Sequence, residues 1–185
     1  MQHELQLDDG SSVLVRPYQP DDVPLLYEAV RESINEVAPW LPWCHPDYAI
    51  EESRGWIETR AEAWARGTEY DVAMIDTAHG RLLGGCGINA LNRANRFANL
   101  GYWVRTSRTR RGVATAAARF LAAFGFRQLG LIRIEIVVAT ANTASQRVAE
   151  KLGATREGVL RNRILVRDQV HDAVMFSLIP SDRVE

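Results

Sequence analysis

Short apolar runs with a period near two alternate along this chain with longer stretches whose apolar residues recur every three to four positions. That is the pattern of strands interleaved with helices. After the turn-like Asp8-Asp9-Gly10-Ser11-Ser12, the run Val13-Leu14-Val15-Arg16 reads as a short strand that Pro17 ends. Pro20-Asp21-Asp22 supplies a helix start, and Val23, Leu26, Tyr27, Val30 and Ile34 follow on one helical stripe. A second helix is expected over Ile50–Arg66, with Ile50, Ile57 and Trp64 on one stripe and Gly67 as its stop. The aromatic, proline-stiffened segment Ala38-Pro39-Trp40-Leu41-Pro42-Trp43 lies between the two.

Three strand-like runs come next: Tyr70–Asp76, Arg81–Asn89 and Phe97–Val104, turned at His79-Gly80 and at Asn92–Asn95. A long amphipathic helix follows, with Val113, Ala117, Phe120, Leu121 and Phe124 inward. Arg133–Ala139 is β-branched and apolar, as a buried strand should be. Thr143–Leu152 is a short helix closed by Gly153, and Val159–Val166 with Val170–Ile179 makes a final hairpin around Arg167-Asp168-Gln169. The order implies a mixed α/β (α+β) sheet of about seven strands flanked by about four helices, not a doubly wound one.

Length and composition narrow the picture. At about 150 residues per domain, 185 residues make one domain, taken as 1–185, with no repeat or linker to divide it. Apolar residues are 46 % and charged residues 24 %, which excludes wholesale disorder. A net charge of −1 argues against a dedicated nucleic-acid or anionic-membrane binder. Cys44 and Cys86 are too few for a disulfide framework, so a reduced, cytoplasmic setting is expected. No signal peptide is visible, and the most apolar stretch, Gly112–Phe126, is too short for a membrane span and is interrupted by Arg119.

Chemistry concentrates at Gly101-Tyr102-Trp103-Val104, the basic loop Arg105–Arg111, and Gly112-Val113-Ala114-Thr115 opening a helix. A helix N-terminus leaves backbone N–H groups unpaired and favours an anion. Gly112 and Ala114 let a phosphate approach the backbone, and Arg108, Arg110 and Arg111 add positive charge. The same features also describe an ordinary basic turn before a helix.

With Asn142-Thr143-Ala144-Ser145 and Glu150-Lys151-Leu152-Gly153-Ala154, the stretch Gly101–Thr115 resembles the GNAT acetyltransferase superfamily. Pro39-Trp40-Leu41-Pro42-Trp43 and His171-Asp172-Ala173-Val174-Met175-Phe176 narrow the likeness to the RimJ/RimL-like branch. The resemblance implies a GNAT fold, a mostly antiparallel sheet splayed in a V between two parallel strands, here Phe97–Val104 and Arg133–Ala139. It implies acetyl-CoA in that V as cosubstrate, with pantetheine on the backbone of Trp103 and Val104. Pyrophosphate would then lie on the amides of Arg110, Arg111, Gly112, Val113, Ala114 and Thr115. Asn142 would hold the cofactor, Ser145 would donate to the departing thiolate, and Trp40 with Trp43 would floor an acceptor groove. Asn142 and Thr143 also suit a plain helix cap, and the two tryptophans a hydrophobic plug.

Three positions depart from the family. Thr109 stands where the pyrophosphate motif has Gln or Arg, and the two customary glutamate positions hold Asn99 and Ile164. An α-amine of pKa near 8 is roughly a tenth neutral at pH 7, a lysine only about 0.04 %. Without those glutamates the acceptor is expected to be a primary amine of low basicity, above all a protein N-terminal α-amine, attacking the thioester directly. Two other readings remain: a small-molecule amine or aminoglycoside acetyltransferase, if Glu32, Glu36 and Asp47 form an acidic groove, and a non-catalytic CoA-binding sensor. A homodimer through the final hairpin and aromatic loop is also expected from related proteins.

Sharper motifs fail. Gly85-Cys86-Gly87-Ile88-Asn89-Ala90 lies in a strand with no following helix, against a dinucleotide site. No metal site is expected, since four scattered histidines give no ligand spacing. Adjacent Cys44-His45 raises a cysteine nucleophile only as a remote option. His171 and Asp172 read as cleft residues or as structural polar groups.

Overall fold

The computed structural model describes residues 1–182. Its strands are β1 (His3–Gln6), β2 (Ser12–Pro17), β3 (Tyr70–Asp76), β4 (Leu82–Asn92), β5 (Phe97–Val104), β6 (Arg133–Ala139), β7 (Thr155–Val166) and β8 (Gln169–Leu178). The helices are α1 (Val23–Val37), α2 (Ile50–Arg66), α3 (Val113–Gln128) and α4 (Thr143–Lys151). One sheet holds all eight strands in the order β1-β2-β3-β4-β5-β6-β8-β7, antiparallel except between β5 and β6. The sheet thus has one strand more than the seven expected. β1 is four residues with only Leu5 half-buried, too short and polar to announce itself by periodicity.

Strand alternation sorts the side chains onto two cores. Val72, Met74, Cys86, Ile88, Leu100 and Ile136 face α3 and α4, where Leu121 and Ala117 pack on them. Ala73 and Ile75 face the other way, towards Leu26, Ala29 and Val30 of α1 and Ile57 of α2. Fully burying a side chain such as Leu121 or Phe176 contributes about 1.5–3 kcal/mol, so this two-faced burial holds the helices on the sheet. Gly67 ends α2 at φ +64, with its N–H donating to Trp64 at 3.0 Å. No helix among the described residues is long and apolar enough to cross a membrane.

The feature that positions a site is a fork. β5 and β6 pair only over Phe97–Asn99 and Arg133–Glu135. Beyond that point β5 stays bonded to β4 up to Val104, while β6 stays bonded to β8 up to Ala139. The two strands therefore part, and their facing edges open into a V.

Candidate active site

Arg105 N–H donates to the carbonyl of Leu83 at 2.7 Å, which sets the bonding phase of the β4–β5 ladder. In an antiparallel pair the bonded positions alternate. Trp103 opposite Gly85 and Gly101 opposite Gly87 therefore spend their main-chain groups on β4. Leu100, Tyr102 and Val104 direct theirs into the V. This corrects one inherited role: Val104 lies on the open edge, but the main chain of Trp103 does not, and Tyr102 takes its place. Trp103 contributes its indole instead, on the α1–α2 face.

At the mouth of the V the chain makes a 3₁₀ turn, Thr106–Arg108, and then enters α3 through Gly112. Gly112 has φ +81, and a Cβ placed there would meet nothing within 4 Å. The backbone N–H groups of Arg110, Arg111, Gly112, Val113, Ala114 and Thr115 find no acceptor among the described residues; Ala116 is the first of the turn to do so, bonding to Gly112 at 2.9 Å. Six consecutive donors around an open glycine at a helix N-terminus form an anion cradle. The basic side chains are less free. Arg108 lies 3.6 Å from Asp76 and Arg111 3.9 Å from Asp9, while Arg110 makes no ion pair among the described residues. Thr109 donates its hydroxyl to the carbonyl of Thr106 at 3.0 Å, so this departure from the family motif serves the turn itself.

Carboxylates on α1 hold the turn in place. Arg105 is buried and ion-paired with Glu28 and with Glu32, the latter at 2.5 Å. Glu32 also accepts from Ser107 N–H at 3.0 Å, Glu36 from the Thr106 hydroxyl at 2.9 Å, and Ser33 from Thr106 N–H at 3.1 Å. Glu32 lies below its ordinary range, because burial raises it less than the Ser107 and Arg105 contacts together lower it. These glutamates are anchors for the cradle, bound to Arg105, Thr106 and Ser107.

On the α4 side of the V the Oδ1 of Asn142 caps the helix, accepting from Ser145 N–H at 3.1 Å. The Ser145 hydroxyl donates to the phenol oxygen of Tyr102 at 3.2 Å, and Tyr102 donates onward to the Ser145 carbonyl at 2.9 Å. Burial pushes the Tyr102 phenol up to about 12, with Ser145 opposing, so it holds its proton at neutral pH. The sequence places Tyr102 in the Gly101–Val104 run but gives it no role of its own. Only the parity of β5, which turns Tyr102 towards the α3–α4 face, could have indicated it.

On the opposite face Trp43 stacks edge-on with Trp103 at 5.6 Å between centroids and with Tyr48 at 6.2 Å. Trp43 is 39 % exposed, whereas half-buried Trp40 has no ring partner among the described residues. Through Trp103 the structure joins Trp43 to β5, and Trp40 is not part of that stack. Arg167, at the tip of the β7–β8 hairpin, donates to the carbonyls of Ala38 and, at 3.2 Å, of Cys44, pinning both ends of this loop. Asn99 donates its amide to Asn89 at 3.0 Å, and Ile164 faces His171 across the hairpin, so neither customary glutamate position supplies a base. Asp172 accepts from Asn162 N–H at 2.9 Å at an irregularity of the hairpin, a structural task.

Cys44 is fully buried and burial raises its thiol, while His45 is turned to Glu52 at 2.8 Å. The pair is no nucleophile. Among the described residues no cluster of three or more His, Cys, Asp or Glu side chains could hold a metal.

Comparison with known proteins points to one family. The model of the family described as the acetyltransferase (GNAT) domain matches residues 12–155. The Bacillus subtilis protein named "Putative ribosomal N-acetyltransferase YdaF" is 30 % identical over 171 residues, which is 90 % of this chain and 91 % of that protein. A solved structure described as a "putative ribosomal-protein-serine acetyltransferase" from Vibrio cholerae superposes with a TM-score of 0.83 at 28 % identity, covering 97 % of this chain and 98 % of that one. Mycobacterium smegmatis RimJ, solved with a CoA disulfide, has a TM-score of 0.88 at 24 % identity over 100 % of this chain and 89 % of its own, a likeness of fold. The fork, the cradle and these matches converge: the chain belongs to the GNAT N-acetyltransferase family, on its RimJ/RimL-like branch.

Proposed function

We propose that this protein is an acetyl-CoA-dependent N-acetyltransferase whose acceptor is a protein N-terminal α-amine, working in the cytoplasm as one domain over 1–185. The observation that carries the reading is the run of six unpaired amides from Arg110 to Thr115 at the mouth of the V. Those donors suit a pyrophosphate, and the free edge of Tyr102 and Val104 suits the amide groups of a pantetheine arm. The cosubstrate supplies an acetyl thioester, which is already activated towards amines. What the chain adds is position: holding amine and thioester together removes much of the entropic barrier. Main-chain N–H groups on the open edge of β5 stabilise the negative charge that develops on the acetyl oxygen. The Tyr102 hydroxyl, kept protonated by burial, protonates the departing sulfur, with Ser145 orienting it.

The acceptor assignment rests on the other face. Glu32 and Glu36 are spent on Arg105, Thr106 and Ser107, which removes the acidic lining a polycationic small amine would need. Trp43 beside Trp103 offers an exposed aromatic wall suited to the first residues of a peptide. The relatives named as ribosomal-protein acetyltransferases support a protein substrate.

Mass spectrometry after incubation with acetyl-CoA tests the reading. Tetrapeptide amides beginning with Ser or Ala should gain one acetyl group, and an N-blocked lysine peptide or spermidine should not. Acetylation confined to the lysine peptide or spermidine would overturn the acceptor, and acetyl-CoA binding without transfer to any amine would favour a CoA sensor. A homodimer belongs to the same proposal, supported by Leu165 and Val170, which pair across the hairpin and are both exposed. Sedimentation at micromolar concentration should then show a species of twice 20.8 kDa.

A further inference from the structure

On the α1–α2 face of the sheet, a register-matched row runs from β3 to the edge of the fork: Asp71 lies opposite Gly87, and Gly87 opposite Gly101. Because Gly87 has no side chain, the carboxylate of Asp71 leans over β4, and a Cβ on Gly87 would collide with Asp71 Oδ1. At Gly101 the nearest atom to a Cβ would be Asn99 Nδ2, 3.9 Å away, so the space over Gly101 on β5 is open. Neighbouring strands lie about 4.8 Å apart. A nitrogen above Gly101 therefore stands about one strand spacing from a carboxylate above Gly87, the span of one bridging water.

Two polar groups beside this row lack partners. Asp71 Oδ2 accepts from Arg60 at 2.6 Å, but Asp71 Oδ1 accepts no hydrogen bond among the described residues, although the side chain is only 16 % exposed. The Tyr18 hydroxyl is buried with no partner in a residue 8 % exposed, and it stands over Gly85, the next glycine on the same face of β4. Leaving buried polar groups unpaired is costly, about 1–3 kcal/mol each. The buried, unpaired Tyr18 hydroxyl over Gly85 and the unbonded Asp71 Oδ1 over Gly87 mark a place for a polar guest beside the open space at Gly101.

We propose that Asp71, reached through one water above Gly87 and Gly101, receives the proton of the acceptor amine in place of the absent glutamates, with the Tyr18 hydroxyl over Gly85 as a further polar contact. This rests on the acetyltransferase reading above. The N–C bond forms as the C–S bond breaks. The nitrogen's proton passes through the water to Asp71 Oδ1, the sulfur takes a proton from Tyr102, and proton exchange with solvent resets both groups. The net transfer is one proton from nitrogen to sulfur.

The surroundings suit the task. Charged and titratable groups facing Asp71 come from α2 (Arg60), the segment before β3 (Glu69), the segment after β2 (Tyr18) and β4 (Cys86). Burial dominates and raises the Asp71 carboxyl, Arg60 opposes, and Glu69 adds to the rise. A carboxylate shifted in this direction is a better proton acceptor near neutral pH than an exposed one.

The test uses Ser-Ala-Ala-Ala-amide as the amine. Asp71→Asn preserves volume and an oxygen for Arg60. It should lower kcat at least about 100-fold and remove the acidic limb of the kcat profile, with acetyl-CoA affinity and melting temperature unchanged. Gly101→Val fills the space over Gly101 without touching Asp71 and should raise the peptide KM at least tenfold at unchanged acetyl-CoA affinity. Independently of turnover, the carboxyl ¹³C signal assigned to Asp71 should titrate above the ordinary aspartate range and shift when the peptide is added with CoA. Full kcat with the wild-type pH profile in Asp71→Asn, an unchanged KM in Gly101→Val, or an Asp71 signal indifferent to peptide would each overturn the proposal. If Asp71→Asn does not fold, the last two measurements decide. Wild-type protein that acetylates no amine at all would overturn the acetyltransferase reading and this proposal together, whereas transfer that survives Asp71→Asn overturns this one alone.

Discussion

Ser145 and Tyr102 share a hydrogen bond of 3.2 Å that joins the first turn of α4 to the open edge of β5. The direction of that bond ranks the two hydroxyls. Ser145 donates to Tyr102, and Tyr102 carries the buried proton that a leaving thiolate can take. Tyr102→Phe is therefore expected to lower kcat by roughly 100-fold at unchanged acetyl-CoA affinity, as for loss of a general acid. Ser145→Ala should cost less than about tenfold, because Tyr102 keeps its bond to the Ser145 carbonyl. Steady-state kinetics on both variants checks the order; a larger loss in Ser145→Ala would return the donor role to the serine.

Gly112 gives a sharper test of the cradle. A glutamate there adds volume and negative charge beside six unpaired amides, so acetyl-CoA affinity should fall at least roughly tenfold, or about 1.4 kcal/mol. Stability should also fall by about 1 kcal/mol, since φ +81 disfavours any L side chain even though the space is open. Gly112→Ala separates the two effects: it carries the backbone strain without the charge and should bind acetyl-CoA far better than Gly112→Glu. Calorimetric titration and thermal melts on both variants read the difference.

Much of this scaffold was legible in local pattern. The spans Ile50–Arg66, Tyr70–Asp76, Phe97–Val104 and Arg133–Ala139 come directly from apolar periodicity and glycine stops, and the structure has the same four elements. The cradle was legible too, because a glycine opening a helix is a local signal. Tyr102 was not. Its partner Ser145 is 43 residues away, and the bond exists only because β5 and α4 meet across the fork. Whether Glu32 lines an acidic groove is not readable from the sequence, because its partner Arg105 is 73 residues on. Asp71 is only one residue of the Tyr70–Asp76 run until the register sets it opposite a glycine. Trp103 shows the reverse case, where a plausible inherited role depended on the phase of a ladder that no local pattern reveals.

Arg167 should govern acceptor recognition from outside the fork. It sits in a turn at φ +43, and its guanidinium binds carbonyls at both ends of the segment that carries Trp43. Hydrogen bonds from a charged donor contribute about 1.5–3 kcal/mol each in favourable settings. Arg167→Ala should release the loop and raise the peptide KM about five- to tenfold, with acetyl-CoA affinity within twofold of wild type. Equal KM values would show that the loop holds its position without this clamp.

The last expectation concerns acid stability and a side of the molecule remote from the cradle. Arg133 on β6 grips Glu157 on β7 through two bonds of 2.6 Å, and Ser177 on β8 donates to the same carboxylate at 2.7 Å. The Arg133 contact, helped by Ser177, lowers Glu157 from its ordinary 4.5 to about 2. A carboxyl depressed by folding stabilises the native state fully above its unfolded value, and that contribution is lost as pH falls through the folded value. The window therefore runs from about 4.5 down to about 2. The Glu157 side chain is 39 % exposed, so solvent screening reduces its contribution to about 1 kcal/mol, or roughly 2–4 °C in melting temperature. Glu157→Gln should melt lower than wild type by that amount at pH 7, and the gap should narrow as pH falls below 4.5. A gap that stays constant with pH would mean that Glu157 acts through packing at the β6–β8–β7 edge and not through its charge.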